Sequence, residues 1–288
     1  MSAIAANDNG SVRQFTIERV DKGESATATD AVATEEPLEI RLAYTRPDGK
    51  RAQKSISVTM RTPGNDDELA AGFLFTEGIV KNRADVNSIG PCGPPAPNGL
   101  INVVRVELGE NVEVDLDRLE RHFYTSSSCG VCGKSSLDAV AVQGHFEPRE
   151  SSLKLAADKL GTLPAALLRQ QDVFEETGGL HASGLFNSDG DVLAVREDVG
   201  RHNALDKLIG QALMRDELPL TNFGIVLSGR ASFELVQKAM MAGLPFVAAV
   251  GPPSSLAIEL AEEFGMTLVG FLKPDRFNVY THGQRVLT

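Results

Sequence analysis

Residues 224–255 read GIVLSGRASFELVQKAMMAGLPFVAAVGPPSS, and this stretch decides the fold. Two short runs, Gly224-Ile-Val-Leu and Phe246-Val-Ala-Ala-Val, carry no polar side chain, the pattern of strands buried on both faces. Helical spacing follows each of them, at about 231–242 and 254–264, entered through Gly, Ser, Arg or Pro. Strand, small-residue junction and helix in repetition bury a sheet beneath helices, so an α/β fold is expected.

Outward from this stretch the alternation continues. Strands are expected at about 182–187, 191–196 and 267–272, and helices at about 135–143, 164–176 and 200–214. Nearer the N-terminus the character changes. Leu38, Ile40 and Leu42 alternate with charged or small residues, Ile56, Val58 and Met60 do the same, and Arg46-Pro47-Asp48-Gly49 between them is a hairpin turn. Asn65-Asp66-Asp67-Glu68 places acids at the start of a helix through Leu69 to Thr76, and Ile101–Leu108 is a further strand. Residues 1–35 offer little apolar surface to offset ordering entropy, and a flexible tail with at most a short strand at Val12–Val20 is expected. The organisation expected is thus a tail (1–35), a smaller, mainly-β α+β N-terminal domain (36–124), a mobile small-residue loop (125–134) and an α/β domain (135–288).

Among 288 residues, 28 Lys and Arg face 39 Asp and Glu, a formal charge of −11 that argues against broad nucleic-acid binding while leaving room for a local basic pocket. Three cysteines are too few, and odd in number, for a disulfide framework, which points to a reducing compartment. The N-terminal residues lack the basic and apolar regions of a signal peptide, and Gly and Pro interrupt the uncharged stretch Ala239–Ile258, so a cytoplasmic protein with no membrane span is expected.

The chemistry begins with Cys129-Gly-Val-Cys132. Two thiols at this spacing can converge on a metal, exchange a disulfide or share sulfur chemistry, and Lys134 with the start of a helix near Ser135 favours thiolate. Structural zinc needs four ligands and the chain has no second C-x-x-C or H-x-x-x-H, so no structural metal is expected. A thioredoxin-like role conflicts with the mid-chain, serine-rich setting. SCGVCGKS at 128–135 misses the phosphate-loop pattern by its first glycine and follows no apolar strand.

A second constellation is VREDVGRHNALDKL, residues 195–208, where Asp198 can cap a helix and Arg201, His202 and Asn203 suit a phosphate or a purine edge; the plainer alternative is a capping network with solvated charge. Two more junctions, Ser228-Gly229-Arg230 and Gly251-Pro252-Pro253-Ser254, repeat the theme, and in a mainly parallel sheet all three line one edge. Arg201, His202, Gly229 and Arg230 are therefore candidate anion-binding residues. His181, after Thr177-Gly-Gly-Leu180, is expected to be a satisfied core histidine. A zinc deaminase would need H-x-E; Ser183 stands where that Glu would be, and the C-x-x-C lies upstream instead of downstream.

With these residues in view, the chain closely resembles the formate dehydrogenase accessory sulfurtransferase family (FdhD/NarQ). The resemblance is carried by GFLFTEGI (72–79), SSSCGVCGKSS (126–136), TGGLHASGLF (177–186), EDVGRHNALDK (197–207), LSGRASFELVQKA (227–239) and FNVYTH (277–282). It implies a sulfurtransferase that accepts persulfide sulfur from a cysteine desulfurase. The sulfur then passes to the molybdenum (or tungsten) bis-guanine dinucleotide cofactor, molybdenum bis(molybdopterin guanine dinucleotide), destined for formate dehydrogenase. It also implies a homodimer whose larger, cofactor-binding domain is a three-layer α/β/α, cytidine deaminase-like fold without the zinc site. Carried onto this chain, Cys129 matches the persulfide-forming cysteine and Cys132 its partner, which holds sulfur in turn or resolves the persulfide. The cofactor segment corresponds to Phe271-Leu272-Lys273-Pro274-Asp275-Arg276, where Lys273 and Arg276 suit phosphates. The rival reading is a zinc- or cofactor-binding chaperone without sulfur transfer.

Overall fold

The computed structural model describes residues 5–6, 10–110, 112, 114 and 148–288. The N-terminal part holds strands β1 (Ala5–Ala6), β2 (Val12–Asp21), β3 (Glu24–Ala33), β4 (Glu36–Thr45) and β5 (Arg51–Arg61), helix α1 (Asp66–Thr76), and strands β6 (Val86–Pro91) and β7 (Val103–Leu108). The rest holds β8 (Leu155–Ala156), α2 (Ala157–Leu168), α3 (Asp172–Thr177), β9 (His181–Phe186), β10 (Val192–Asp198), α4 (Arg201–Met214), β11 (Gly224–Leu227), α5 (Phe233–Met241), β12 (Phe246–Ala249), α6 (Ser255–Glu263), β13 (Thr267–Lys273), β14 (Arg276–Thr281) and β15 (Val286–Leu287). The expected helix over 135–143 and the loop over 125–134 lie outside the described residues.

Six strands form the main sheet in the order β10-β9-β11-β12-β13-β14. Only β11, β12 and β13 are mutually parallel; β9 is antiparallel to β11, β10 to β9 and β14 to β13. The sheet is therefore mixed, not mainly parallel. Direction is set by how each strand is connected, and short links such as those between β9 and β10 or β13 and β14 force an antiparallel return. The reversals still leave the carboxyl ends of β10, β11, β12 and β13 on one edge, together with the starts of β9 and β14.

The period of two along each strand sorts the two faces. Leu185, Ile225, Leu227, Val247, Ala249 and Leu268 join one buried core with α4, α5 and α6. Ala182, Phe186, Val226, Phe246, Ala248 and Val269 join a second with Leu160, Leu163 and Leu167 of α2. Phe186 and Phe246 meet edge to face there, with ring centroids 5.7 Å apart. The helix expected over 164–176 is in fact two, α2 beginning earlier and α3 following a break at Arg169–Gln171. Pro164 stands inside α2, where the buried leucines offset its missing hydrogen bond.

The smaller sheet runs β5-β4-β7-β6, with the β4–β5 hairpin turning at Arg46–Gly49 as its sequence demands. Helix α1 lies between this sheet and α4, which is why it is buried nearly all round: Leu69, Ala70, Ala71, Gly72, Leu74, Phe75 and Thr76 are all inside. One continuous core thereby joins Leu38, Ile40, Leu42, Val104 and Val106 to the helical face of the main sheet. Residues 12–33, expected as mostly flexible tail, form a hairpin of two ten-residue strands, β2 and β3. Its strands carry the β-favouring Val12, Phe15, Thr16, Ile17 and Val20 opposite Thr27, Thr29 and Val32, and ladder pairing holds them although most side chains stay exposed.

Candidate functional site

The carboxyl edge of the main sheet is built by backbone hydrogen bonds between its junctions. Ser228 closes β9 onto β11: its N–H donates to Ala182 O (3.0 Å), and its Oγ accepts from Ala182 N (2.8 Å). Gly251 N–H donates to Gly229 O (2.9 Å), Ser254 N–H to Ala231 O (3.0 Å) and Phe271 N–H to Gly251 O (3.1 Å). A methyl group on Gly251 would lie 3.0 Å from Arg230 N and from Gly229 C and O, so only glycine lets the two junctions approach this closely.

Within residues 197–207 the structure divides the polar side chains into struts and site. Asp198 is fully buried: it pairs with Lys207 Nζ at 2.8 Å and accepts from Thr62 N (3.2 Å), Gly200 N (2.8 Å) and Asn203 Nδ2 (3.0 Å). It thus orders the turn before α4 rather than capping the helix, whose N-cap is Gly200. Asn203 also donates to Met60 O (2.8 Å) and accepts from Thr59 Oγ1 (3.2 Å), and Lys207 donates to Thr62 O (2.9 Å). These residues bind α4 to the end of β5, so Asn203 is not free to read a purine edge. Glu197 accepts from the backbone N–H groups of Val173 (3.1 Å) and Phe174 (2.9 Å), while burial pushes its carboxyl above the usual range.

Arg201 and His202 remain for the edge. Arg201 Nε is buried and has no hydrogen-bond partner among the described residues, a donor that is costly to leave unmet. His202 Nε2 lies 3.0 Å from Glu234 Oε2 and 3.3 Å from Ser232 Oγ. The hydrogen bond from His202, and then its charge, hold the Glu234 carboxyl below the usual range against the opposing effect of burial. Carboxylate and hydroxyl share one ring nitrogen, so the three do not form a nucleophilic triad, which would need the acid on the other nitrogen.

His181 is placed differently from its expectation. It is only half buried, at the first position of β9 on the same edge, and a methyl on Gly229 would sit 3.4 Å from its Nδ1. Burial, then the charges of Arg201 and His202, push this imidazole below the ordinary histidine value. The available signal was the Thr177-Gly-Gly-Leu180 turn, which brings the strand in from the edge instead of through the core.

Phe271–Arg276 is the end of β13 and its hairpin into β14, with Lys273 paired to Arg276 across the turn. Phe271 has a left-handed φ of 53° and is exposed, as are Lys273, Pro274, Asp275 and Arg276. Leu272 is buried with Leu160 and Phe246, so it supports this segment from within the core. Gly229 and His181 are in van der Waals reach, and Gly251 links the Gly229–Arg230 junction to Phe271. The hairpin, however, stands four strand positions from the end of β10, roughly 19 Å at ~4.8 Å per strand. The candidate residues therefore form an elongated edge with Arg201 toward one end and Lys273 and Arg276 at the other. Cys129 and Cys132 lie outside the described residues.

Residues 33–287 match the FdhD/NarQ family profile. The sulfur carrier protein FdhD of Mycolicibacterium paratuberculosis is 49% identical over 267 residues, 92% of this chain and 94% of that one. The protein of the same name from Streptomyces coelicolor is 48% identical over 271 residues, 93% of each chain. In structure the chain is similar to a crystallised protein from Desulfotalea psychrophila, described as a formate dehydrogenase accessory protein. The TM-score is 0.72 at 25% identity, covering 96% of this chain and all of the other.

Proposed function

Since this chain belongs to the FdhD/NarQ family, we propose that it is a sulfur carrier serving the maturation of formate dehydrogenase. The observation that carries this reading is a match over nearly the whole chain to relatives named sulfur carrier proteins, in a sequence that holds Cys129 and Cys132. Cys129, as thiolate, attacks the sulfane sulfur of a cysteine desulfurase persulfide; the S–S bond of the donor breaks, its cysteine leaves as thiolate, and Cys129 holds the new persulfide. The S–S bond of that persulfide then breaks: Cys129 leaves as thiolate, and the terminal sulfur passes as sulfide to the metal of the molybdenum or tungsten bis-guanine dinucleotide cofactor, the substrate of the transfer, which gives up the two electrons that reduce it.

The basic edge supports this acceptor. A dinucleotide carries phosphates along an extended path, and Arg201, Arg230, Lys273 and Arg276 are distributed along such a path, with a buried guanidinium donor unmatched among the described residues. Ser, Gly and His at the junctions suit close approach of phosphate and base without closing the edge. The six-stranded sheet with helices on both faces fits cytidine deaminase-like layering, and Ser183 in place of a catalytic glutamate fits a fold that no longer activates water on zinc. The same reading makes the protein a cytoplasmic homodimer that meets the desulfurase and formate dehydrogenase in turn.

The test is peptide and native mass spectrometry before and after incubation with a cysteine desulfurase and cysteine. Added sulfur on the peptide containing Cys129 is the expected result. Bound zinc with no added sulfur would replace the carrier by a metal-stabilised binding protein.

A further inference from the structure

We infer that His181 is a recognition residue of the edge, taking up a proton when a phosphate-bearing ligand docks beside Arg201. The inference rests on the reading of this edge as a dinucleotide site and names a residue and a proton linkage within it.

His181 opens β9 with its ring against Gly229, where the absence of a side chain leaves the imidazole facing the junction. Its ring nitrogens have no hydrogen bond among the described residues. Arg201 Nε, buried in the same cluster, also has none. Two polar groups that fold into one corner and leave their hydrogen-bonding capacity unused are prepared for something that is not protein.

The charges around His181 determine what that something is. Across the ladder stands Asp198, whose charge is matched by Lys207 at 2.8 Å. On α4 stand Arg201 and His202, and His202 is held by Glu234 from α5 at 3.0 Å. The junction after β11 contributes Gly229, without charge, and the exposed guanidinium of Arg230. Glu234 also attracts Arg201, so with Asp198 matched by Lys207 the two guanidiniums of Arg201 and Arg230 face a single carboxylate, the corner is net positive, and the missing partner is an anion.

In the ligand-free protein, burial and then the charges of Arg201 and His202 disfavour the protonated form of His181. A phosphate against Arg201 cancels that repulsion and adds attraction, so the imidazole becomes a donor to the ligand it helps to bind. The sign follows: the free histidine lies below its ordinary value and the complexed one above the free, so affinity is higher on the acid side. It falls as pH rises through the interval between them, by about tenfold if the two differ by one unit.

The experiment uses guanosine diphosphate mannose, a pyrophosphate diester whose charge does not change across the range, so that any linked proton belongs to the protein. The histidine Cε1–H resonances are titrated by NMR with and without saturating probe, His181 being assigned from His181→Asn. Calorimetry in two buffers of different ionisation enthalpy counts the protons. Expected are a rise in the His181 midpoint on binding, proton uptake, and an affinity that becomes less dependent on pH in His181→Asn, with His202→Asn as the control. Binding with an unmoved His181 midpoint overturns the inference and leaves the dinucleotide reading standing. No binding of the probe by the full-length wild-type protein overturns both. The wild-type titration decides the matter even if the variant fails to fold.

Discussion

Gly72 on α1 and Gly210 on α4 cross with their backbones in contact: a methyl on Gly72 would lie 1.8 Å from Asp206 O, and one on Gly210 1.8 Å from Glu68 O. No side chain at either position is compatible with this crossing, which joins the smaller sheet to the helical layer of the main one. Gly72→Ala should force the helices apart and cost about 3 kcal/mol or more, the upper range for overpacking a core. Urea denaturation monitored by circular dichroism checks this, and a change below about 1 kcal/mol would mean that the crossing adapts freely.

A few residues from that crossing, Lys238 on α5 donates to both carboxylate oxygens of Asp206 at 2.9 Å and to Thr76 Oγ1 at 2.8 Å, tying three helices together in the interior. Lys238→Met strands a buried carboxylate and should destabilise by about 3–5 kcal/mol. The double variant Lys238→Met/Asp206→Leu should recover much of that loss, since it removes both charges. A double variant as unstable as the single one would show that the pair stabilises more than its own burial costs.

The carboxyl of Glu197 is raised in the folded state, chiefly by burial. For an acid this sign means that the folded protein binds the proton more tightly than the unfolded chain, so the wild type gains stability as pH falls through the folded value toward about 4.5. Against Glu197→Gln, whose side chain does not titrate, the wild type should therefore gain between about pH 7 and about pH 5. Paired denaturant titrations at the two pH values measure it. A difference that stays constant, or moves toward the variant, would contradict the assignment.

Arg201 offers a buried donor at the edge with no partner among the described residues. Arg201→Gln should leave the fold intact and weaken binding of a pyrophosphate diester by about 1.5–3 kcal/mol, roughly ten- to a hundredfold. Calorimetry with the same probe decides, and unchanged affinity would remove Arg201 from the site.

Cys129→Ala should abolish sulfur transfer from a desulfurase while binding of the dinucleotide probe survives, because the proposed carrier and acceptor residues are different parts of the chain. Cys132→Ala should slow turnover without preventing the first persulfide. Mass spectrometry of each variant after incubation with desulfurase reads both outcomes, and undiminished transfer in Cys129→Ala would reassign the carrier.

Much of this was decided locally and is legible in the chain. The apolar runs at 224–227 and 246–249, the acid-led helix at 66–76, the turn at 46–49 and the junctions bearing Arg201, Gly229 and Arg230 follow from periodicity, capping and glycine, which act over a few residues. The pair Cys129 and Cys132 is visible in the same way, by spacing alone. Strand direction is not, because an apolar run reads identically either way, and β9, β10 and β14 turned out antiparallel to their neighbours. Nor could the motif at 197–207 be divided from within. Asp198 and Asn203 became struts because Thr62 and Met60 arrive beside them from more than a hundred residues away, whereas the Arg201 donor meets no partner among the described residues and His181 was brought to the edge beside it. Which polar residue braces the fold and which is free to bind depends on which partners reach it in three dimensions, and the tertiary structure alone decides that.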